Sequence, residues 1–320
     1  MSDERRAEAL RKLEETAETG SPYCGSYIAS LDPLHRTELL QALLFERLER
    51  KMRMVEQLRA EAGDNWNQTF YLLYFRTLGD RQNQEAYLEL ARRVPYRILL
   101  RERTTPRATE AMLLGASGLL DLYANDSYTL DLKREYVHFA SKYNIEQMAA
   151  ERWVLHEVRP ANHPVLRLAQ AAEFFRQDEL MMERVMACRD EEAIQRLFCI
   201  EASPYWRTHY TPNATHDQRP KRIGHFKAQI IGINLVTVLQ FAYGSLMGNE
   251  RLRDSALTLF ERQPAEDNRY MRLWRSEGLR PRDAYESQAL LQLITEHCLH
   301  QRCSECRVAH RMLDELLKAK

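Results

Sequence analysis

Between Asp32 and Gly63 apolar residues recur at three- and four-residue steps, and this pattern restricts the fold more than any other stretch. Leu40, Leu44, Leu48, Met52, Val55 and Leu58 form one stripe, while Glu46, Arg47, Glu49, Arg50, Arg53 and Glu56 occupy the other faces. An α-helix with one buried stripe and solvated flanks satisfies that spacing. Asp32 is placed to cap it, Pro33 to take its first turn and Gly63 to stop it after about Ala62. At about 1.5 Å per residue such a helix runs about 45 Å, long enough to act as a spine.

Helix signals continue along the rest of the chain. Asp64 opens a helix in which Trp66, Phe70, Leu73 and Leu78 share a face, and Gly79 ends it. Further helices are expected from Asn83 to the residue before Pro95, from Thr105-Pro106 through Leu120, and over Leu130–Tyr143 after a polar break at Asn125–Tyr128. Arg159-Pro160-Ala161-Asn162-His163-Pro164 is the clearest connector, leading into a helix with Leu166, Leu168, Ala169 and Phe174. Ser203-Pro204 caps a short helix with Tyr205, Trp206 and Tyr210, and Thr211–His225 is the longest polar loop. Asn249 starts a helix to Gln263, followed by Ala265–Gly278 and Pro281–His297. Glycine and proline number only 11 each in 320 residues, a low share that favours long helices over strands joined by tight turns. The expected fold is all-α: two packed helical bundles, residues 1–157 and 158–320, the second ending in a Cys-rich helical hairpin.

Forty-six basic residues balance forty-six acidic ones. A net charge of zero argues against a protein that coats nucleic acid or membranes through its overall charge. Arginine outnumbers lysine 38 to 8, which favours planar, bidentate pairing. Met1–Leu13 is charged and amphipathic, with none of the apolar centre of a signal peptide. Ala228–Asn249 carries no charge over its length, but Asn234, Thr237 and Gln240 interrupt it. A helix inside a helical core is expected there rather than a membrane span. The expected setting is cytoplasmic, with no membrane partner.

Three of the six cysteines fall between Cys298 and Cys306, and such clustering points to metal or redox chemistry rather than to a disulfide framework. Cys298, Cys303 and Cys306 present soft ligands suited to tetrahedral zinc or to an iron–sulfur cluster. A helix starting near Cys303 would put Cys303, Cys306 and His310 on one face. A complete site needs a fourth ligand, for which His310, His300, His297 and the remote Cys24 are candidates. The competing reading is a set of reduced thiols packed in a hairpin. Full ligation leaves no open position, so the expected role is a structural staple.

Two further groups are candidates. Trp206, His209, Arg219, Lys221 and Arg222, with neighbouring tyrosines, interleave aromatic and basic side chains as a nucleic-acid strand requires. The alternative has the aromatics pack inward and the basic loop face solvent. Arg159, His163 and Arg167 are placed to bind an anion at the start of the Pro164 helix, or with His209 to line an enzymatic cleft. Against this, Arg159 can simply pair with Glu157. Glu266 and Asn268 have capping of the following helix as their simplest role. No phosphate loop, dinucleotide fingerprint, zinc-protease motif or nucleophile elbow occurs.

Taken in order, Leu44-Phe45-Glu46-Arg47-Leu48-Glu49-Arg50-Lys51, Asp64-Asn65-Trp66 with Phe70, and Glu110-Ala111-Met112-Leu113-Leu114-Gly115 form a recognisable series. Arg159–Pro164 with Arg167, Tyr205-Trp206-Arg207-Thr208-His209-Tyr210 and Phe241-Ala242-Tyr243-Gly244 extend it. Pro264-Ala265-Glu266-Asp267-Asn268, Ser287-Gln288-Ala289-Leu290 and the terminal cysteines complete it. Over about Pro22–Leu316 the chain resembles the uncharacterised bacterial family catalogued as domain of unknown function twenty-eight fifty-one. The resemblance assigns no activity. It implies larger members that begin with a strand-rich, nuclease-like region, which this sequence lacks. It also implies a cysteine at the position of Cys24 and the C-terminal cysteine triplet, without a dependable histidine at His310. The expectation that follows is a non-catalytic helical interaction module with a structural metal, and a separately encoded nuclease-like domain as its partner.

Overall fold

The computed structural model describes residues 3–16, 24–124 and 126–318. Met1 and Ser2 of the expected opening helix, Pro22 where the resemblance begins, and Asn125 of the expected polar break lie outside the described residues. Helices account for every regular element among the described residues, and the only pairings of extended backbone are isolated bridges at Glu201–Arg222, His209–Thr215 and Pro264–Asp283. The fold is all-α, as the periodicity requires.

Two compact units divide the chain. One comprises Met1–Arg53 with Glu250–Lys320, and the other Met54–Asn249. The boundary expected at 157/158 falls within the second of these. The connector that suggested it is a 3-10 turn, Pro160–Asn162, opening the helix Pro164–Gln177.

The unit Met54–Asn249 is organised around the helix Trp66–Leu78. Asn65 caps it, its side-chain oxygen accepting the Gln68 N–H at 3.0 Å. The apolar spacing predicts one buried face, yet every residue from Thr69 to Phe75 is buried. A helix apolar on all sides sits at the centre of its unit. Its rings interlock with those of neighbouring helices: Tyr71 stacks on Tyr96 at 5.3 Å and Tyr74 on Phe174 at 4.8 Å. Such aromatic pairs add about 0.5–1.5 kcal/mol each beyond the area they bury. Beside them run Asp80–Arg93, Ala108–Ala116 and Ser127–Tyr143. Gly118 ends the third of these four helices at φ +73, where a Cβ would run into the Met148 carbonyl.

Most of the charge-free stretch lies in one continuous rod that begins just before it: His225–Ile231, a π-helical turn Gly232–Val236, and Thr237–Leu246. By length and composition it is the one described helix able to cross a membrane, but most of it is buried inside the protein. Thr237 Oγ1 donates to the Ile233 carbonyl at 2.6 Å and Gln240 Nε2 to that of Cys188 at 2.9 Å, while Gln240 Oε1 is buried without a partner among the described residues.

In the other unit, Pro33–Glu61 contributes its residues up to Arg53. Leu40, Leu44 and Leu48 are buried, as the stripe predicts, and Leu39 and Leu43 beside them are buried as well, whereas Met52 is only half-buried. Arg47 departs from the expectation of a solvated flank and is also buried. Its Nε donates to Gln288 Oε1 at 2.6 Å, Gln288 Nε2 donates to Glu266 Oε1 at 2.6 Å, and Asn268 Nδ2 donates to Glu266 Oε2 at 2.9 Å. A buried guanidinium is tolerable only with such partners. Asn268 caps the helix Arg269–Ser276 as expected, accepting the Tyr270 and Met271 N–H groups at 3.0 Å.

Candidate metal centre

Residues 293–306 carry the cysteine cluster on a sequence of tight turns. A π-helical turn, Leu293–His297, passes into the 3-10 turn Cys298–His300. Gln301 reverses the chain at φ 51, and a second 3-10 turn, Cys303–Glu305, follows. The last helix spans Arg307–Lys318. It starts later than the spacing predicts, so Cys303 and Cys306 precede it instead of sharing a face with His310. The loop is pinned from two sides. Glu14 Oε1 accepts the Ser304 N–H at 2.6 Å, and Glu46 pairs with Arg307 at 3.1 Å and faces His297 Nε2 at 3.7 Å.

The cluster is electrostatically a single neighbourhood that includes Cys24, the residue preceding the helix Gly25–Ser30. Burial pushes the Cys24 thiol up to about 12, with Cys306 and Cys303 adding to the effect. Burial also raises Cys298, followed by Cys306, Cys24 and Cys303. Cys303 is pushed up to about 11 by burial, then by Cys306 and Glu14. Burial raises Cys306 as well, but the N–H groups of Ala309 and Val308 draw it back. Helix-terminal N–H groups directed at a sulfur favour its thiolate.

Among the described residues, no three His, Cys, Asp or Glu side chains are grouped tightly enough to hold an ion where they stand. The four sulfurs are neighbours carrying protons, and ligation requires them to close on an ion and lose those protons together. The donors present are four thiols, two backbone N–H groups directed at one of them, and a His297 Nδ1 that is buried without a hydrogen-bond partner among the described residues. His310 is engaged elsewhere, its Nε2 lying 2.6 Å from the Ser304 carbonyl.

The other candidates are dispersed. His163 is buried, its Nδ1 accepting the Val165 N–H at 3.3 Å and its Nε2 meeting the Tyr123 hydroxyl at 3.1 Å. Burial pulls its pKa down to about 4, so the ring is a neutral helix cap. Arg167 is buried and spans Gln170 at 2.9 Å and Asn162 at 2.7 Å. Arg159 is exposed and makes no pair with Glu157 among the described residues; it lines a cavity of about 250 Å³ with Asn162, and His163, Arg167 and His209 are not part of that lining. His209 stacks on Tyr205 at 4.0 Å.

Trp206 lies fully inside the unit Met54–Asn249, and Lys221 is buried with its Nζ on the Arg207 carbonyl at 3.0 Å. Arg219 and Arg222 are exposed, the latter pairing with Glu201 at 3.3 Å. One interior group escaped the sequence reading. Glu110 is buried and accepts the Trp206 indole N–H at 2.6 Å and the Tyr128 hydroxyl at 2.9 Å. Its only sequence signal was a carboxylate within the otherwise apolar run Ala108–Ala116.

No curated protein and no solved structure matches the chain. A family model described as protein of unknown function, DUF2851, matches residues 2–269. That span contains Cys24 and the resembling segments through Pro264–Asn268, and it stops short of Ser287–Leu290 and the terminal cysteines. The match covers well over half of the sequence, and the chain belongs to this family of unknown function.

Proposed function

We propose that the chain is a non-catalytic helical interaction module whose terminal segments are fastened by one structural zinc ion, held by Cys24, Cys298, Cys303 and Cys306. The observation that supports this reading is proximity: Cys24 lies within electrostatic reach of Cys303 and Cys306, and Cys298 within reach of Cys24, Cys303 and Cys306. Tetrahedral zinc takes four thiolates at about 2.3 Å and leaves no position for substrate. When bound, the ion supplies coordination energy in place of a larger apolar core. The chain's own groups do the rest: the Val308 and Ala309 N–H groups favour the Cys306 thiolate, and Glu46 holds the loop through Arg307.

Metal analysis of anaerobically purified protein tests the proposal. One zinc per chain is expected, lost in Cys24→Ser and retained in His310→Ala. Zinc retained in Cys24→Ser, or a metal-free wild type that takes up no zinc, overturns it. Iron with a visible chromophore keeps the four-thiol site and replaces zinc by an iron–sulfur cluster. The module's partner, by the family resemblance, is a separately encoded nuclease-like domain. Co-purification from native extract should recover it, and a chain recovered without such a domain counts against that partner.

A further inference from the structure

The unit Met54–Asn249 contains a cavity of about 510 Å³ that the metal proposal does not use. Three segments wall it: the turn Arg103–Arg107, the end of the helix Pro164–Gln177, and residues 201–207. Each brings arginine, so Arg103, Arg107, Arg176 and Arg207 all face one space. We propose that this cavity binds the phosphate monoester group of a small organic ligand.

The guanidinium groups are positioned before any ligand arrives and keep donors to spare. Arg103 gives Nη2 to Glu179 at 2.9 Å, and Arg207 gives Nε to Glu201 at 2.7 Å. Arg176 grips Glu173 through Nε and Nη2 at 2.8 and 2.6 Å, and Arg107 holds Asp131 at 3.3 Å and Glu135 at 2.9 Å. These pairs fix the side chains and leave both Nη groups of Arg207, Nη1 of Arg176, and Nε and Nη1 of Arg103 available. Glu179, Asp131 and Glu135 lie outside the cavity wall, which includes Glu173 and Glu201. The third carboxyl there, Glu110, is enclosed by Trp206 and Tyr128. Four guanidinium groups thus line the cavity against two carboxylates of its own wall, while Glu179, Asp131 and Glu135 offset Arg103 and Arg107 from outside that wall.

Geometry selects phosphate over carboxylate. A carboxylate offers two oxygens in one plane and is satisfied by one fork, whereas a phosphate monoester offers three terminal oxygens to donors arriving from several directions. Arginines on three separate segments match the second. The volume lies within the range for small-molecule sites, and Pro106, Ala172 and Pro204 give an apolar surface for the remainder of the ligand.

The backbone adds an independent indication. Arg107 takes the left-handed conformation at φ 60 and precedes a helix, Ala108–Ala116, that opens without a side-chain cap. A non-glycine residue held there costs on the order of 1 kcal/mol or more, and such strain concentrates at ligand sites. The same turn points the start of the helix, through Thr109, into the arginine-lined space.

Titration calorimetry on the full chain tests this with inorganic phosphate, adenosine 5′-monophosphate, adenosine, and a short single-stranded oligonucleotide with or without a 5′-phosphate. The monophosphate should bind saturably and adenosine should not. Arg176→Gln and Arg207→Gln, both at partly exposed side chains, should each weaken binding about tenfold, as loss of a charge-assisted bond predicts. Arg253→Gln, in the other unit, should leave it unchanged. Oligonucleotide binding that requires the 5′-phosphate and exceeds that of the monophosphate keeps the site and names a nucleic-acid end as its source. No saturable binding of either phosphate up to about 10 mM, a free energy of under about 3 kcal/mol, overturns the proposal. So does binding that survives the Arg176→Gln/Arg207→Gln double variant in protein with wild-type circular dichroism.

Discussion

Replacing Glu110 by glutamine isolates the free energy stored in one buried carboxyl group. The groups facing it are the Trp206 indole N–H at 2.6 Å, the Tyr128 hydroxyl at 2.9 Å, Ser203, and the more distant carboxylate of Glu173. Burial raises its pKa above the ordinary 4.5, outweighing the opposing hydrogen bonds of Trp206, Tyr128 and Ser203. Between pH 4.5 and the raised folded value, the native state keeps a proton that the unfolded chain releases. Stability contributed by this group is therefore complete below pH 4.5 and declines as pH rises, by up to about 1.4 kcal/mol per pH unit, until the folded group also ionises. Glutamine has no such proton. It retains a carbonyl for the Trp206 N–H and loses only the matched arrangement at Tyr128, worth about 1 kcal/mol. Urea denaturation of both proteins from pH 4 to 8.5 should show the wild-type advantage shrinking, and then reversing, as pH climbs from 4.5. A difference that is flat or grows with pH refutes the assignment of burial as the dominant force on Glu110.

His163 should show the opposite slope. Its folded pKa of about 4 lies below the unfolded 6.5, so its contribution is complete above pH 6.5 and drains as pH falls toward 4, by about 3 kcal/mol at most. His163→Gln should flatten that acid limb, and superimposable pH profiles would count against a buried neutral ring. Gly115→Ala places a Cβ 2.5 Å from Tyr136 Cβ and Cδ2, on a ring whose hydroxyl is tied to the Ile145 carbonyl at 3.2 Å. Overpacking of about 1–3 kcal/mol should exceed the helix-propensity gain of about 1 kcal/mol, lowering Tm by a few degrees in calorimetry. A raised Tm would contradict it. Adding a chelator to zinc-loaded protein should lower the stability of wild type and His310→Ala alike, while Cys24→Ser should already match the stripped wild type. Equal chelator sensitivity in Cys24→Ser removes that residue from the ligand set.

What could be read from the sequence was local. The stripe from Leu40 to Leu58 and the breakers at Pro33 and Gly63 predict a helix within a residue of its observed end, because periodicity and chain-breaking act over a few positions. Asn268 as a cap follows from the same short range. The long-range partners could not be read this way. Arg47 has the charge of a surface residue, and only Gln288, some 240 positions later, explains its burial. Spacing alone left Cys24 as one of several candidate fourth ligands, and its closeness to Cys303 and Cys306 in the folded chain is what the proposal adds to that choice. The late start of the Arg307–Lys318 helix depends on the left-handed Gln301, a conformation that a glutamine side chain does not advertise. Composition allowed Trp206 either a stacking role or, as the simpler reading, a place packed inward; it packs inward, and the buried carboxyl that claims its indole lies almost a hundred residues earlier.

The unit made of Met1–Arg53 and Glu250–Lys320 draws its two parts from stretches that are synthesised with all of Met54–Asn249 between them. Cys24 leaves the ribosome 274 residues before Cys298, an interval of roughly 15–55 s at ordinary elongation rates. Once Asn249 has emerged, Met54–Asn249 has its complete sequence available and can fold, while the apolar stripe from Leu39 to Leu48 still lacks the helices after Glu250 that will cover it. The nascent chain therefore passes through a stage with one finished unit and one adhesive arm. This is the stage at which a chaperone is most needed, and at which a scarcity of metal is not yet felt.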